Sequence, residues 1–234
     1  MTLGKIALIS GASRGIGAAT AQTLFEAGWA VSLGMRAPVM PDWAQTYPER
    51  VHLFVYDAAD VEAPCLWART VMARFGAIDA VIASAGIMIP QTPVDISNDD
   101  MAKMLDINVQ APRRLAAACW AALGASGHGR IILLGSLSGK RVKSARAGSY
   151  AVSKFAAIGL AHALRHAGFD QGIRCTAVCP GFVATDMAMS ITDRDAQMMT
   201  QPEDLARVIQ MLIELPNEAS VAEFTVNCQL EESF

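Results

Sequence analysis

Tyr150 and Lys154 stand four residues apart, a short way after Ser136. If a helix starts at Tyr150, that spacing puts the phenol and the ammonium on one face, about one turn apart. A phenol ordinarily loses its proton near pH ~10. A neighbouring ammonium favours the phenolate and lowers that value. Tyr150 would then exchange a proton with a substrate oxygen near neutral pH, as a general acid/base, while Ser136 holds the same oxygen. A Tyr-x-x-x-Lys spacing alone also suits an exposed amphipathic helix start, so the weight falls on the other motifs.

The second constellation suits a phosphate. Lys5-Ile6-Ala7-Leu8-Ile9-Ser10 is a continuous apolar run, the mark of a buried parallel strand. Gly11-Ala12-Ser13-Arg14-Gly15-Ile16-Gly17 follows, and a helical pattern then runs over residues 16–27 to Gly28. Glycines let the chain turn sharply and let a phosphate approach, and the helix N-terminus offers N–H groups to a pyrophosphate. The spacing is Gly-x-x-x-Gly-x-Gly rather than the better-known Gly-x-Gly-x-x-Gly. Residues 30–34 form the next strand, followed by Met35-Arg36 where an NAD site often carries an acid. Arg36 and Arg14 together would clamp a 2′-phosphate, which argues for NADP(H) over NAD(H). The other reading leaves Arg36 a surface residue.

These groups need a scaffold, and strand–helix alternation supplies one. The strand at residues 51–55 leads to Asp57-Ala58, where Asp57 would accept from an adenine amino group. The strand at 80–83 leads to Ser84-Ala85-Gly86, whose small size lets a cofactor come close, and then to a pocket wall at Ile87 and Met88. Residues 99–123 read as one long helix that Pro112 distorts near Asn108. Asn108 is either a satisfied buried amide or part of a site. The strand at 130–135 ends at Ser136, and the helix at 149–168 carries Tyr150 and Lys154. His162 and His166 share a face of that helix, but no third ligand is near, so no metal is expected. After a strand at 173–178, a methionine-rich segment, 187–200, reads as an apolar flap. A helix at 202–215 and a strand at 224–227 complete an α/β fold: a doubly wound, mostly parallel sheet of about seven strands, in a single domain spanning 1–234.

Composition narrows the partners. Of 234 residues, 53% are hydrophobic and 18% charged, which disfavours disorder. A net charge of −3 gives no electrostatic case for nucleic acid. No apolar run reaches the ~18 residues of a membrane span, and the N-terminus enters a strand at once, leaving no room for a signal peptide. Five cysteines without zinc spacing fit a reducing cytoplasm. The loop Lys140-Arg141-Val142-Lys143-Ser144-Ala145-Arg146 is unusually basic, either a solvated loop or a site for an anion.

In this order and spacing, the motifs closely resemble the short-chain dehydrogenase/reductase family over nearly the whole chain. The resemblance rests on residues 11–17, Asp57, Ser84-Ala85-Gly86, Asn108, residues 135–139, Tyr150-Ala151-Val152-Ser153-Lys154 and Pro180-Gly181-Phe182-Val183-Ala184-Thr185. It implies a Rossmann-type sheet and hydride transfer between a nicotinamide and a carbonyl or alcohol. It also implies roles. Tyr150 would be the acid/base, and Lys154 would lower its pKa and hold the nicotinamide ribose. Ser136, with Ser138 as a substitute, would orient the oxygen, and Asn108 would position a water. Ser13, Arg14 and Ile16 would bind the adenosine-phosphate end, and Val183 and Thr185 the carboxamide. The chain departs from the family in four places: Ala83-Ser84 stands for Asn-Asn, the interval from Ser136 to Tyr150 is long, the segment after the second strand is proline-rich, and the tail at 222–234 lacks Val-Asp-Gly-Gly. A small carbonyl or alcohol substrate with an apolar rim at Ile87, Met88, Val142, Met187 and Met189 is expected, as is a homodimer or homotetramer. The alternative is a catalytically silent dinucleotide-sensing regulatory or scaffold protein of the same fold.

Overall fold

The computed structural model describes residues 4–230. Its seven strands are β1 (Ile6–Ser10), β2 (Ala30–Met35), β3 (Val51–Val55), β4 (Ala80–Ala83), β5 (Arg130–Leu134), β6 (Arg174–Pro180) and β7 (Glu223–Val226). They form one Rossmann-type sheet in the order β3-β2-β1-β4-β5-β6-β7, and every neighbouring pair is parallel. The order reverses between β1 and β4, the switch point at which such sheets open a crevice for ligands.

Side chains alternate across β1, so the two faces can be read from its sequence. Ile6 and Leu8 pack with Trp67 of α2 (Ala63–Phe75), Leu115 of α4 (Ala111–Ala125) and Ile158 of α5 (Gly148–Gly168). Ala7 and Ile9 pack on the other face with Leu24 of α1 (Gly15–Glu26) and with Leu205 and Ile209 of α7 (Pro202–Glu214). Both faces are therefore covered, which is why β1 is apolar and buried along its length.

The helix expected over residues 99–123 divides. It comprises α3 (Asn98–Leu105), one wide π turn (Asp106–Gln110) and α4. Pro112 lies in the first turn of α4, where it has no N–H to give the carbonyl of Asn108. The wide turn absorbs that break and carries Ile107 and Asn108 into the interior. Arg114 pins it, donating to both carboxylate oxygens of Asp106 at 2.7 and 3.2 Å and to the Ala58 carbonyl at 2.8 Å. The π turn is thus tied to the loop after β3.

The flap segment starts within α6 (Asp186–Met189), and an isolated parallel bridge joins Thr200 at its end to Val183, just past β6. Of the tail noted above, residues up to 230 are described, and 231–234, like 1–3 at the other end, lie outside the described residues.

At the end of β2, Gly34 makes room for Trp67: a Cβ there would lie 2.4 Å from the indole Cη2. Trp67 cannot withdraw, because it donates to the Ser32 hydroxyl at 2.7 Å and stacks on Phe54 with centroids 5.5 Å apart. Gly34→Ala should therefore lower the unfolding free energy by about 1–3 kcal/mol, read as a reduced urea midpoint at unchanged slope.

Candidate active site

A cleft of about 1150 Å³ runs along the C-terminal ends of the strands. The loops after β1, β2, β3, β4, β5 and β6 all line it, so its composition follows from the sheet order. It has a phosphate-like end and a proton-transfer end.

At the first end, α1 begins without a side-chain cap: Arg14 is extended, makes no capping bond, and no acid lies in the first turn. The leading N–H groups are thus open to a ligand. Gly11 has φ of 69°, and a Cβ on it would sit 2.9 Å from the Ala85 amide nitrogen. Gly11, Ser13, Gly15 and Ile16 line the cleft, as do Ser84, Ala85 and Gly86 opposite them. Gly17 does not. It lies behind the wall, where a Cβ would be 2.3 Å from the Gly11 carbonyl oxygen, so its smallness serves helix–strand packing. Asp57 and Ala58 line the same end, and one Asp57 oxygen accepts from the Ala59 amide at 3.0 Å. These features fit a dinucleotide.

The Arg14–Arg36 clamp is not preformed. Arg14 Nη1 instead pairs with Asp186 Oδ2 at 2.6 Å, closing over the cleft from the loop after β6. Both side chains are more than 70% exposed, so the pair contributes little and can open. Arg36 is exposed on the same wall. Pro180, Gly181, Val183 and Thr185 line the cleft next to Asp186.

At the other end, Tyr150 lies in the first turn of α5 and Lys154 one turn on. They are only 8% and 6% exposed. Gly139 lets the loop after β5 lie flat on α5, since a Cβ there would be 2.7 Å from the Lys154 carbonyl. That contact sets Ser136 beside Tyr150. The Ser136 hydroxyl lies close enough to the phenol to favour its ionised form, and it accepts from the Ser138 amide at 3.1 Å. Ser138 thus supports Ser136. Lys154 Nζ donates to the Leu134 carbonyl at 2.7 Å and lies 5.6 Å from the Tyr150 ring centroid.

The expected lowering of the phenol pKa is overturned in this geometry. Burial pushes Tyr150 up to about 12, and Ser136 opposes this only in part. Burial also pulls Lys154 down to about 8. Desolvation of the charged form is the largest cause of both shifts. The phenol is therefore held protonated, in the form that donates.

Asn108 is the satisfied amide of the two readings. Its Nδ2 donates to the Ile87 carbonyl at 2.9 Å and to Ser153 Oγ at 3.0 Å, and its Oδ1 accepts from the Ile87 amide at 2.9 Å. Ser153 Oγ in turn donates to the Tyr150 carbonyl at 2.7 Å. Asn108 thereby couples the loop after β4 to the turn that holds Tyr150, as a positioning residue. It does not line the cleft itself.

Around this end Ile87, Met88, Met187 and Met189 line the cleft, but Val142 does not. It is 56% exposed and turned outward, because its loop follows the hydrogen bond from Arg141 to the Leu137 carbonyl. Lys140 is held by Glu223, which also bonds His162 at 2.6 Å. His162 is therefore engaged with a carboxylate on β7 rather than with His166. Sequence reasoning missed Glu223, the Leu134 carbonyl and Asn227, whose side chain fills the space a Cβ on Gly181 would take.

Comparison with known proteins agrees with this geometry. The profile of the short chain dehydrogenase family matches residues 5–196. Agropine synthesis reductase of Rhizobium rhizogenes is 36% identical over 97% of this chain and 53% of its own length. This chain thus spans about half of that relative. The 3-oxoacyl-(acyl-carrier-protein) reductase FabG of Escherichia coli is 32% identical over 81% of this chain and 78% of its own. Among solved structures, an alcohol dehydrogenase from Thermococcus sibiricus complexed with 5-hydroxy-NADP superposes with a TM-score of 0.84 at 26% identity, covering 97% of this chain and 99% of that one.

Removing the Asn108 side chain leaves both main-chain groups of Ile87 without partners. Asn108→Ala should cost about 1–3 kcal/mol of stability, visible as a lowered Tm in calorimetry.

Proposed function

The chain belongs to the short-chain dehydrogenase/reductase family, and on that premise we propose that it is an NAD(P)-dependent oxidoreductase acting on a carbonyl or alcohol. The observation that carries the reading is the meeting of Ser136, Tyr150 and Lys154 in one cleft with the uncapped start of α1. A silent dinucleotide sensor has no chemical use for the first three, and the relatives are named reductases and dehydrogenases.

When bound, the nicotinamide supplies or accepts the hydride. Ser136 orients the substrate oxygen toward the phenol. As the carbonyl is reduced, Tyr150 gives its hydroxyl proton to that oxygen, so no free alkoxide forms. The Lys154 ammonium stabilises the tyrosinate left behind. In the reverse direction Tyr150 takes the alcohol proton.

Loss of the proton donor should be severe. Tyr150→Phe should lower kcat for carbonyl reduction by roughly 10²–10⁴-fold while cofactor binding persists. In the unmutated enzyme, kcat/KM for reduction should hold at low pH and fall as pH rises through about 8, where Lys154 loses its proton. A flat profile across that range would remove Lys154 from the proton-transfer step.

The cofactor reading is NADP(H) in preference to NAD(H). Its support is Arg36 just past β2, where an acid would favour NAD, and Arg14 across the same end of the cleft. The ribose 2′-phosphate would draw Arg14 away from Asp186. Nicotinamide fluorescence should show NADPH binding at least tenfold more tightly than NADH, about 1.4 kcal/mol, with the difference lost in Arg36→Ala. Equal binding would overturn the preference and leave the oxidoreductase reading intact.

The working form we propose is a homodimer or homotetramer, supported by Val152 and Phe155 on α5 at 47% and 46% exposure. Five free cysteines support a reducing cytoplasm. No helix among the described residues is long and apolar enough to cross a membrane.

A further inference from the structure

Two stretches of main chain meet near the adenosine end of the cleft. The turn after β3 presents Asp57 and Ala58 to the cleft, and the π turn presents Ile107. The first turn holds its own shape. Asp57 Oδ1 accepts from the Ala59 amide at 3.0 Å, and the Asp57 carbonyl accepts from the Asp60 amide at 3.1 Å. Its place in the molecule is set elsewhere. Among the described residues, 57–59 have one hydrogen bond to a distant element, the 2.8 Å bond from Arg114 Nη2 to the Ala58 carbonyl. The same guanidinium grips both carboxylate oxygens of Asp106, next in the chain to Ile107. Arg114 itself does not line the cleft. Its side chain is 13% exposed, and its Nε is buried with no hydrogen-bond partner among the described residues. An orphaned buried donor is unfavourable for stability, so packing alone gives no reason for a guanidinium here. Its planar fork gives one: it reaches a carboxylate through two nitrogens while one of them also donates to a carbonyl.

We propose that Arg114 is a positioning residue for the adenosine half of the cofactor, holding the polar edge at Asp57 and Ala58 in place against the apolar side chain of Ile107. The inference rests on the dinucleotide reading of the cleft and assigns a role to a residue outside it. Without Arg114, the turn at 57–59 keeps its local bonds but loses its tie to the π turn. A binding edge held in place before its ligand arrives avoids the cost of ordering at the moment of binding. The proton-transfer end is held separately. Asn108 has its own three hydrogen bonds, to the two main-chain groups of Ile87 and to Ser153 Oγ, and none of them runs through Arg114. Loss of Arg114 therefore weakens the hold on the cofactor and spares the chemical step.

The test divides the cofactor into its halves. AMP and 2′,5′-ADP carry the adenosine ends of NAD and NADP, and reduced nicotinamide mononucleotide lacks that end. Calorimetry reads the binding of the first two, and nicotinamide fluorescence that of the third. Arg114→Met should weaken the better-bound adenosine fragment at least about tenfold and leave reduced nicotinamide mononucleotide within about twofold of the unmutated protein. With 4-nitrobenzaldehyde as substrate, KM for the dinucleotide should rise about as much as the fragment affinity falls, while kcat changes less than about twofold. Arg114→Lys keeps the charge and the long stem but not the fork, so it should show the same pattern, and it carries the test if Arg114→Met does not fold. Unchanged fragment binding in the variants, or equal weakening of both halves, would overturn the positioning role, as would failure of the unmutated protein to bind either fragment. Those results leave the oxidoreductase reading intact wherever the aldehyde is reduced. If fragment binding weakens as expected but no carbonyl is reduced, the positioning role stands and the oxidoreductase reading falls.

Discussion

Lys154 is a cation with almost no access to water, and its hydrogen-bond acceptor is a main-chain carbonyl at the end of β5. A buried ammonium without a carboxylate is costly. Its pKa, lowered from 10.5 to about 8, means the unfolded chain holds that proton more tightly. This group therefore opposes folding below about pH 8, and the opposition fades as pH rises toward 10.5. Much of the nearby structure holds this arrangement in place. The β5 end presents Leu134, Gly139 allows the loop to lie on α5, and Asn108 fixes the first turn of that helix through Ser153. Chemistry in the cleft is supported by packing elsewhere.

The cleft joins two electrostatic tasks on one sheet edge. One end offers unsatisfied amides and arginines to phosphates. The other holds a protonated phenol beside a cationic loop. The switch point between β1 and β4 sets them side by side, since the loops after these strands diverge to opposite halves of the sheet. The oxidoreductase reading draws on this one geometric fact.

Much of this arrangement was legible in the sequence. Strands buried on both faces must be continuously apolar, so β1, β4 and β5 announced themselves, and the glycine turn after β1 identified the phosphate end. Pro112 signalled a break near Asn108. The form of that break was not legible, because the π turn is held by partners far along the chain, Ala58 and Ile87. The partner of Arg14 lies 172 residues away, and the acceptor for Lys154 is a backbone atom with no side-chain signature. The sign of the Tyr150 shift was misjudged because spacing along a helix reveals neighbours but not desolvation. Val142 was misplaced because its neighbour Arg141 sets the direction of the loop.

The contact between Gly15 and Thr185 has a kinetic consequence. A Cβ on Gly15 would lie 3.1 Å from the Thr185 methyl, so the first and sixth strand-end loops close on each other. They meet only when β1, β4, β5 and β6 have assembled side by side, and parallel strands of such separation are slow to pair. No early fragment of the chain contains the cleft. A cofactor that needs both loops can therefore capture only chains whose sheet is assembled through β6.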